Sequence, residues 1–244
     1  MKMYSRVLLF MSLVVLLVSG SALAVPSTLN DIMSGYGSYT DTGAQASILT
    51  DTDGINDDAK AFLLLEIAGY APANSFGIYG FRYDANGNVI KGQSLEIFKG
   101  ADDAIDSVTL RFDITAGSVT NQSTGASAVI GTVFGFYITT PGWYDYDNPN
   151  KPHTYYSHTF LNADGFDHMM IFDTSDSANG KLFGSDIVIA IEDLFGGGDK
   201  DYNDMVIGIS DVSPAPVPEP ATMLLLGTGL ISLAGISRKK TKRS

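Results

Sequence analysis

The chain has 244 residues, no cysteine, and 27 acidic against 15 basic side chains for a formal net charge of −12. A disulfide framework is excluded. So negative a field makes nucleic acid and anionic membrane surfaces poor partners, whereas divalent cations and neutral glycans suit it.

Residues 1–24 carry Lys2 and Arg6, then an apolar run over 7–18, and end Ala22-Leu23-Ala24. That layout is a secretory signal peptide, cleaved before Val25. Residues 30–45 show no periodic pattern and read as an irregular or partly ordered lead-in. In "DTDGINDD" (51–58), Asp51, Asp53 and Asn56 have the spacing of a cation loop, and the same residues equally suit a turn ahead of a helix cap. The stretch "DDAKAFLLLEIAG" (57–69) fits either a capped helix or a buried strand, and its β-rich neighbours favour the strand.

From there the apolar runs are short and separated by turn signals, at 76–83, 94–98, 107–114, 129–139, 153–160, 166–172, 187–194 and 205–209. In "SVTLRFDI" (107–114) polar and apolar residues alternate without a break, the period of a half-buried strand. "DANGN" (84–88) between two runs is a hairpin signal. The expected fold is all-β: a single antiparallel sandwich or jelly roll over 25–212. "YDYDNPN" (144–150) adjoins Trp143, and Trp143, Tyr144 and Tyr146 offer either a sugar-stacking platform or an ordinary exposed aromatic loop.

The stretch "EDLFGGGDKDYNDMVIGI" (192–209) sets three glycines ahead of Asp199, Asp201, Asn203 and Asp204. Oxygen ligands at alternating positions wrap a hard cation that takes six to eight oxygens, and glycines let the backbone turn carbonyls inward. Glu192 and Asp193, at the preceding strand end, can face the same centre. The loop is not an EF-hand, because Asp204 and Ser210 stand where that loop requires Gly and Glu. The competing reading is a solvated acidic turn closed by Asx hydrogen bonds. Upstream, Asp164, Asp167 and His168 lie on a run that would pair beside the Glu192 strand. For His168 a hydrogen-bonded ring packed under the loop is favoured over a ligand, since imidazole is a soft partner for a hard cation.

Residues 213–220 form a Pro-rich linker, 221–237 an apolar run, and 238–244 a tail with five basic side chains. Seventeen residues at ~1.5 Å each make a helix of roughly 25 Å, which spans a ~30 Å hydrocarbon core only marginally. The basic tail keeps to the cytoplasmic side and leaves the rest outside. Two of the 15 basic residues lie in the leader and five in the tail, while Glu219 is the one acidic residue of 27 outside 25–216. The exported stretch therefore carries a formal charge near −18.

The tail resembles the PEP-CTERM sorting signal of bacteria that make exopolysaccharide, with Pro218-Glu219-Pro220 as its tripeptide. That resemblance implies an exosortase-type partner and a helix that is a temporary handle; the plain alternative is a permanent anchor. The runs "NADGFDHMMIFD" and "DIVIAIEDLFGGGDKDYNDMVIGI" resemble the core of the domain of unknown function 4114 family over about residues 160–210. The shared elements are Asp164-Gly165-Phe166-Asp167-His168, Glu192-Asp193, and Gly197 through Asp204. This second resemblance implies an exported, β-rich, calcium-binding module.

The expected function is non-catalytic: a calcium-stabilised β-domain exported by a Gram-negative bacterium, anchored first in the inner membrane and then held at the cell surface or among extracellular polysaccharide. A lectin-like glycan-binding module is the alternative, and a polysaccharide hydrolase using Glu192 with Asp164 or Asp193 the remote one. Against the last, no nucleophile elbow or zinc-type histidine cluster is present among His153, His158 and His168.

Overall fold

A computed structural model describes residues 29, 33, 38–40, 45–48, 56–66, 73–100, 102, 106–141, 152–175 and 180–215. The signal peptide, the sorting tripeptide with its apolar run and basic tail, Asp51, Asp53, and the Trp143, Tyr144 and Tyr146 loop lie outside them. The strands are β1 (Ser38–Thr40), β2 (Gln45–Ile48), β3 (Asn56–Glu66), β4 (Ser75–Tyr83), β5 (Val89–Lys99), β6 (Ser107–Asp113) and β7 (Ser118–Asn121). They continue with β8 (Ser127–Val129), β9 (Val133–Thr140), β10 (His153–Tyr156), β11 (Met169–Asp173), β12 (Ile187–Ile191), β13 (Met205–Ser210) and β14 (Val212–Pro214).

All pairings are antiparallel and fall into two sheets. One sheet runs β1-β11-β12-β13-β3-β6-β7-β8; the other runs β14-β2-β9-β4-β5, with β10 also paired to β9. The all-β sandwich expected from the alternating runs is the fold. Its interior takes Leu63, Phe76, Ile78, Leu110, Phe112, Phe134, Phe136, Ile189 and Ile207, contributed by both sheets and all fully buried or nearly so. At ~25 cal/mol per Å², such burial is the main stabilising term.

The strand reading of 57–69 holds for β3, whose Ala59, Ala61 and Leu63 are buried while Asp58 and Lys60 face water. In β12 every residue is buried, because Val188 and Ala190 face a second cluster with Leu29, Met33, Met170, Phe172 and Tyr202 on the far side of the sheet. A strand covered on both faces loses the alternation that marks a half-exposed one. The hairpin at 84–88 is as expected: the Asp84 carboxylate accepts the Asn86 and Asn88 N–H groups, and Gly87 takes φ +84°.

Two expectations need correction and a third, for residues 30–45, is narrowed to its partly ordered form. The run 129–139 is two strands in different sheets, with the switch at Gly131 (φ +88°). Residues 30–45 are not wholly irregular, since β1 adds to the edge of β11 and Gln45 opens β2. Pairing also continues past 212, through Ser213 and Pro214 on β2. Strands of three or four residues are too short to show a period; partner edges with free N–H and C=O groups specify them.

Candidate metal centre

The connection between β12 and β13, residues 192–204, sits at one end of the sandwich. The ladder continues one step beyond β12, where the Glu192 N–H donates to the His168 carbonyl at 3.0 Å. Glu192 and Asp193 thus leave one strand where Asp204 enters the next. Across the interior, Asn74 stands just before β4 of the opposite sheet and donates its amide N–H to Asp193 Oδ2 at 2.8 Å. The Asp193 N–H in turn donates to Asp204 Oδ2 at 2.9 Å.

Gly196, Gly197, Gly198, Lys200 and Tyr202 all have positive φ, at +72°, +82°, +37°, +61° and +53°. Left-handed residues between Asp199, Asp201 and Asn203 coil the chain tightly, a conformation that costs non-glycine residues ~1–2 kcal/mol each. Two glycines are also needed for space: a Cβ at Gly197 would run into the Phe166 ring, and one at Gly198 into Glu192 Oε1. The strain at Tyr202 is held by its hydroxyl, which donates to the Asp167 carbonyl at 2.7 Å, and by its ring, stacked on Phe166. Lys200 Nζ lies over the Phe166 ring as well, 5.3 Å from its centroid.

Glu192 is 0% exposed, and its carboxylate oxygens have no hydrogen-bond donor other than a proton shared with the Asp204 carboxyl beside it. Oxygens of Glu192, Asp199 and Asp201 lie within 4.8 Å of one another, and so do those of Glu192, Asp193 and Asp204. Burial, with the Asp204 and Asp199 charges, pushes Glu192 up to about 8. Burial likewise drives Asp193 up to about 7 and raises Asp204. A buried carboxylate cluster without counter-charge takes up protons; a cation between the same oxygens competes with them.

The other sequence candidates serve the loop differently. Asp164 is not in either group: its Oδ2 receives the Gly196 N–H at 2.8 Å and meets His168 Nε2 at 2.9 Å, so it braces the glycine turn. Asp167 offers its carbonyl to Tyr202 and its Oδ1 to the Met169 N–H at 3.3 Å. The Asn203 backbone N–H donates to Asp201 Oδ1 at 3.2 Å, closing an Asx turn, and its side-chain amide donates to Asp201 Oδ2 at 2.6 Å. Asn56 opens β3, and its side chain is outside the described residues.

His168 is packed under the loop, as the favoured reading had it. It stacks on Tyr155 at 3.6 Å, and its Nδ1 faces the Glu192 carbonyl at 2.7 Å. Both nitrogens face acceptors, which holds the ring best when it carries two protons; desolvation lowers His168 all the same, with the Glu192 carbonyl and Asp164 opposing. Asn74, Tyr155 and Tyr202 were missed as site residues, because nothing in their local spacing marks them.

The region that builds this centre is also what the comparisons identify. A family model described as Domain of unknown function (DUF4114) matches residues 130–211, beginning well ahead of the 160 expected and spanning β9 to β13. The PEP-CTERM protein-sorting motif matches residues 216–239. The chain thus carries a DUF4114 domain and a C-terminal sorting signal, the mark of an exported, surface-directed protein that passes through the membrane and is recognised by an exosortase-type enzyme. Neither a curated protein nor a solved structure matches the chain.

Proposed function

We propose that the domain is a non-catalytic, calcium-stabilised sandwich of a Gram-negative bacterium, released to the cell surface or matrix and associated there with exopolysaccharide. One observation carries the calcium reading: a wholly buried glutamate with no donor for its oxygens but a shared proton, beside four aspartates. Oxygen ligands alone suit a hard cation, and His168 has no nitrogen to spare for a softer one. With no disulfide available, an ion that binds only the folded state is a substitute staple outside the cell. Bound there, calcium would supply charge neutralisation and would fix the loop; the chain supplies the preformed cradle.

A structural role also fits what surrounds the acids. Asp164 is committed to His168 and Gly196, which leaves it unsuited to serve as the partner of Glu192 in glycoside hydrolysis. The test is thermal melting of the protein in millimolar calcium and in chelator. Calcium should raise the melting temperature, and Asp199→Ala with Asp201→Ala should remove the rise; equal melting of the parent in both conditions would sink the reading.

The glycan-binding alternative has one observation in its favour. Thr140 and His153, which bracket Trp143, Tyr144 and Tyr146 in sequence, are paired, and the His153 ring lies 5.8 Å from Phe195, which is half exposed on the acidic loop. Retention on an exopolysaccharide column tests it: a Trp143→Ala protein retained as well as the parent removes those aromatics from the account.

A further inference from the structure

The carboxylates at the end of the sandwich do not form one group. Calcium–oxygen bonds are about 2.3–2.6 Å, so oxygens on one ion lie at most about 5 Å apart. The Asp199 and Asp201 oxygens satisfy that limit with Glu192, and the Asp193 and Asp204 oxygens satisfy it with Glu192, but the two pairs do not merge at 4.8 Å. Glu192 alone belongs to both.

Each side has its own independent mark. On the loop side, Glu192 Oε1 lies so close to Gly198, the residue before Asp199, that a Cβ there would strike it. On the strand side, Asn74 is 1% exposed and anchored to Asp193 through its Nδ2, yet its Oδ1 is buried with no donor. That oxygen is a second orphaned acceptor, beside Asp193 and apart from the loop. Charge leads to the same count. Five ionised carboxylates, of which Glu192 and Asp193 are buried, Asp201 and Asp204 half-buried and Asp199 exposed, keep three negative charges with one divalent ion and one with two.

We propose that this end of the domain holds two cations bridged by the Glu192 carboxylate, one shared with Asp199 and Asp201, the other with Asp193, Asp204 and the Asn74 carbonyl oxygen. The inference rests on the calcium reading above and divides its ligands between two sites. Asn74 makes the strand-side ion a clamp between the sheets, since it adjoins a strand of one sheet and Asp193 and Asp204 adjoin strands of the other.

Native mass spectrometry of the full chain in detergent, titrated with calcium, counts the ions directly. The expected result is two per chain, falling to one in Asp199→Asn and to one in Asp193→Asn, with Asn74→Ala weakening the same ion that Asp193→Asn removes. One ion per chain in the parent, weakened alike by Asp199→Asn and Asp193→Asn, would overturn the bridged pair and leave the calcium-stabilised reading standing. No bound calcium would overturn both. The count in the parent needs no variant to fold.

Discussion

Glu192 and His158 are both ionisable side chains taken out of water, and the fold treats them in opposite ways. His158, 3% exposed, lies on the outer face of the β4–β9 sheet, where its Nδ1 meets the Tyr79 hydroxyl at 2.5 Å and its ring sits edge-on to Phe81 at 4.6 Å. Burial lowers it to about 4, so it is neutral and needs no counter-ion. Glu192 is surrounded by acids, and no donor but a shared proton answers its oxygens. The aromatic setting makes its ionisable group part of the packing; the acidic loop keeps its group as a demand for charge from outside. His158 Nε2 is unpartnered as well, but on a neutral ring; the lesson is that neither burial nor one orphaned nitrogen marks a site, whereas a buried acid set among other acids does.

Four measurements would break or sharpen that contrast. The largest effect should come from His168→Ala, which removes the stack on Tyr155 and leaves the Glu192 carbonyl and Asp164 short of a donor; at ~1–3 kcal/mol per orphaned buried group, a loss of about 3 kcal/mol is expected. Chemical denaturation should show that loss with and without calcium, and a loss confined to calcium-loaded protein would make His168 part of the ion site itself.

Calcium comes next. At a hundredfold excess over Kd one site stabilises by about 2.7 kcal/mol, or roughly 5–11 °C in a domain of this size. Glu192→Gln should abolish that shift yet melt no lower than the parent in chelator, because without the ion Glu192 already holds a proton and the amide replaces one neutral donor group by another. A mutant that melts well below the parent in chelator would show that Glu192 has a partner of its own.

Gly198→Ala should cost about 2 kcal/mol from its φ of +37° and the contact with Glu192, and it should weaken calcium binding as well. Unchanged calcium affinity by isothermal titration would separate the glycine turn from the ion.

The smallest effect is at His158. Its folded value lies below the usual 6.5, so below that pH the unfolded chain binds the extra proton; stability is full above about 6.5 and falls as pH drops towards 4. His158→Gln should flatten this acid limb by about 1 kcal/mol between pH 6.5 and 5. An unchanged limb would remove His158 from the account, since the raised Glu192, Asp193 and Asp204 carboxylates give the opposite slope over this range.

Part of the fold was legible because strands such as β3, β6 and β7 alternate between a buried and a more exposed face. β6 alternates in sequence as it does in burial, and the 84–88 turn is written in Asp, Asn and Gly. The glycine-acid loop was legible for the same reason: positive φ leaves glycine in the sequence, and oxygen ligands leave Asp at alternate positions. What could not be read is what depends on distance along the chain. Asn74 is 119 residues from Asp193, and only the closure of one sheet on the other brings them together. Asp164 and Asp204 look alike in sequence, yet one braces a turn and the other joins the carboxylate group.

By itself, then, the sequence determined an exported, disulfide-free, acidic β-domain with an anionic loop and a sorting tail, because composition, period and terminal signals are local properties. The tertiary structure alone decided that Glu192 is buried among other acids, that the acids divide into two pairs around it, and that Tyr202 and His168 hold them there. Those facts follow from which strands are neighbours, and a linear pattern carries no record of what stands across a sheet or between two of them.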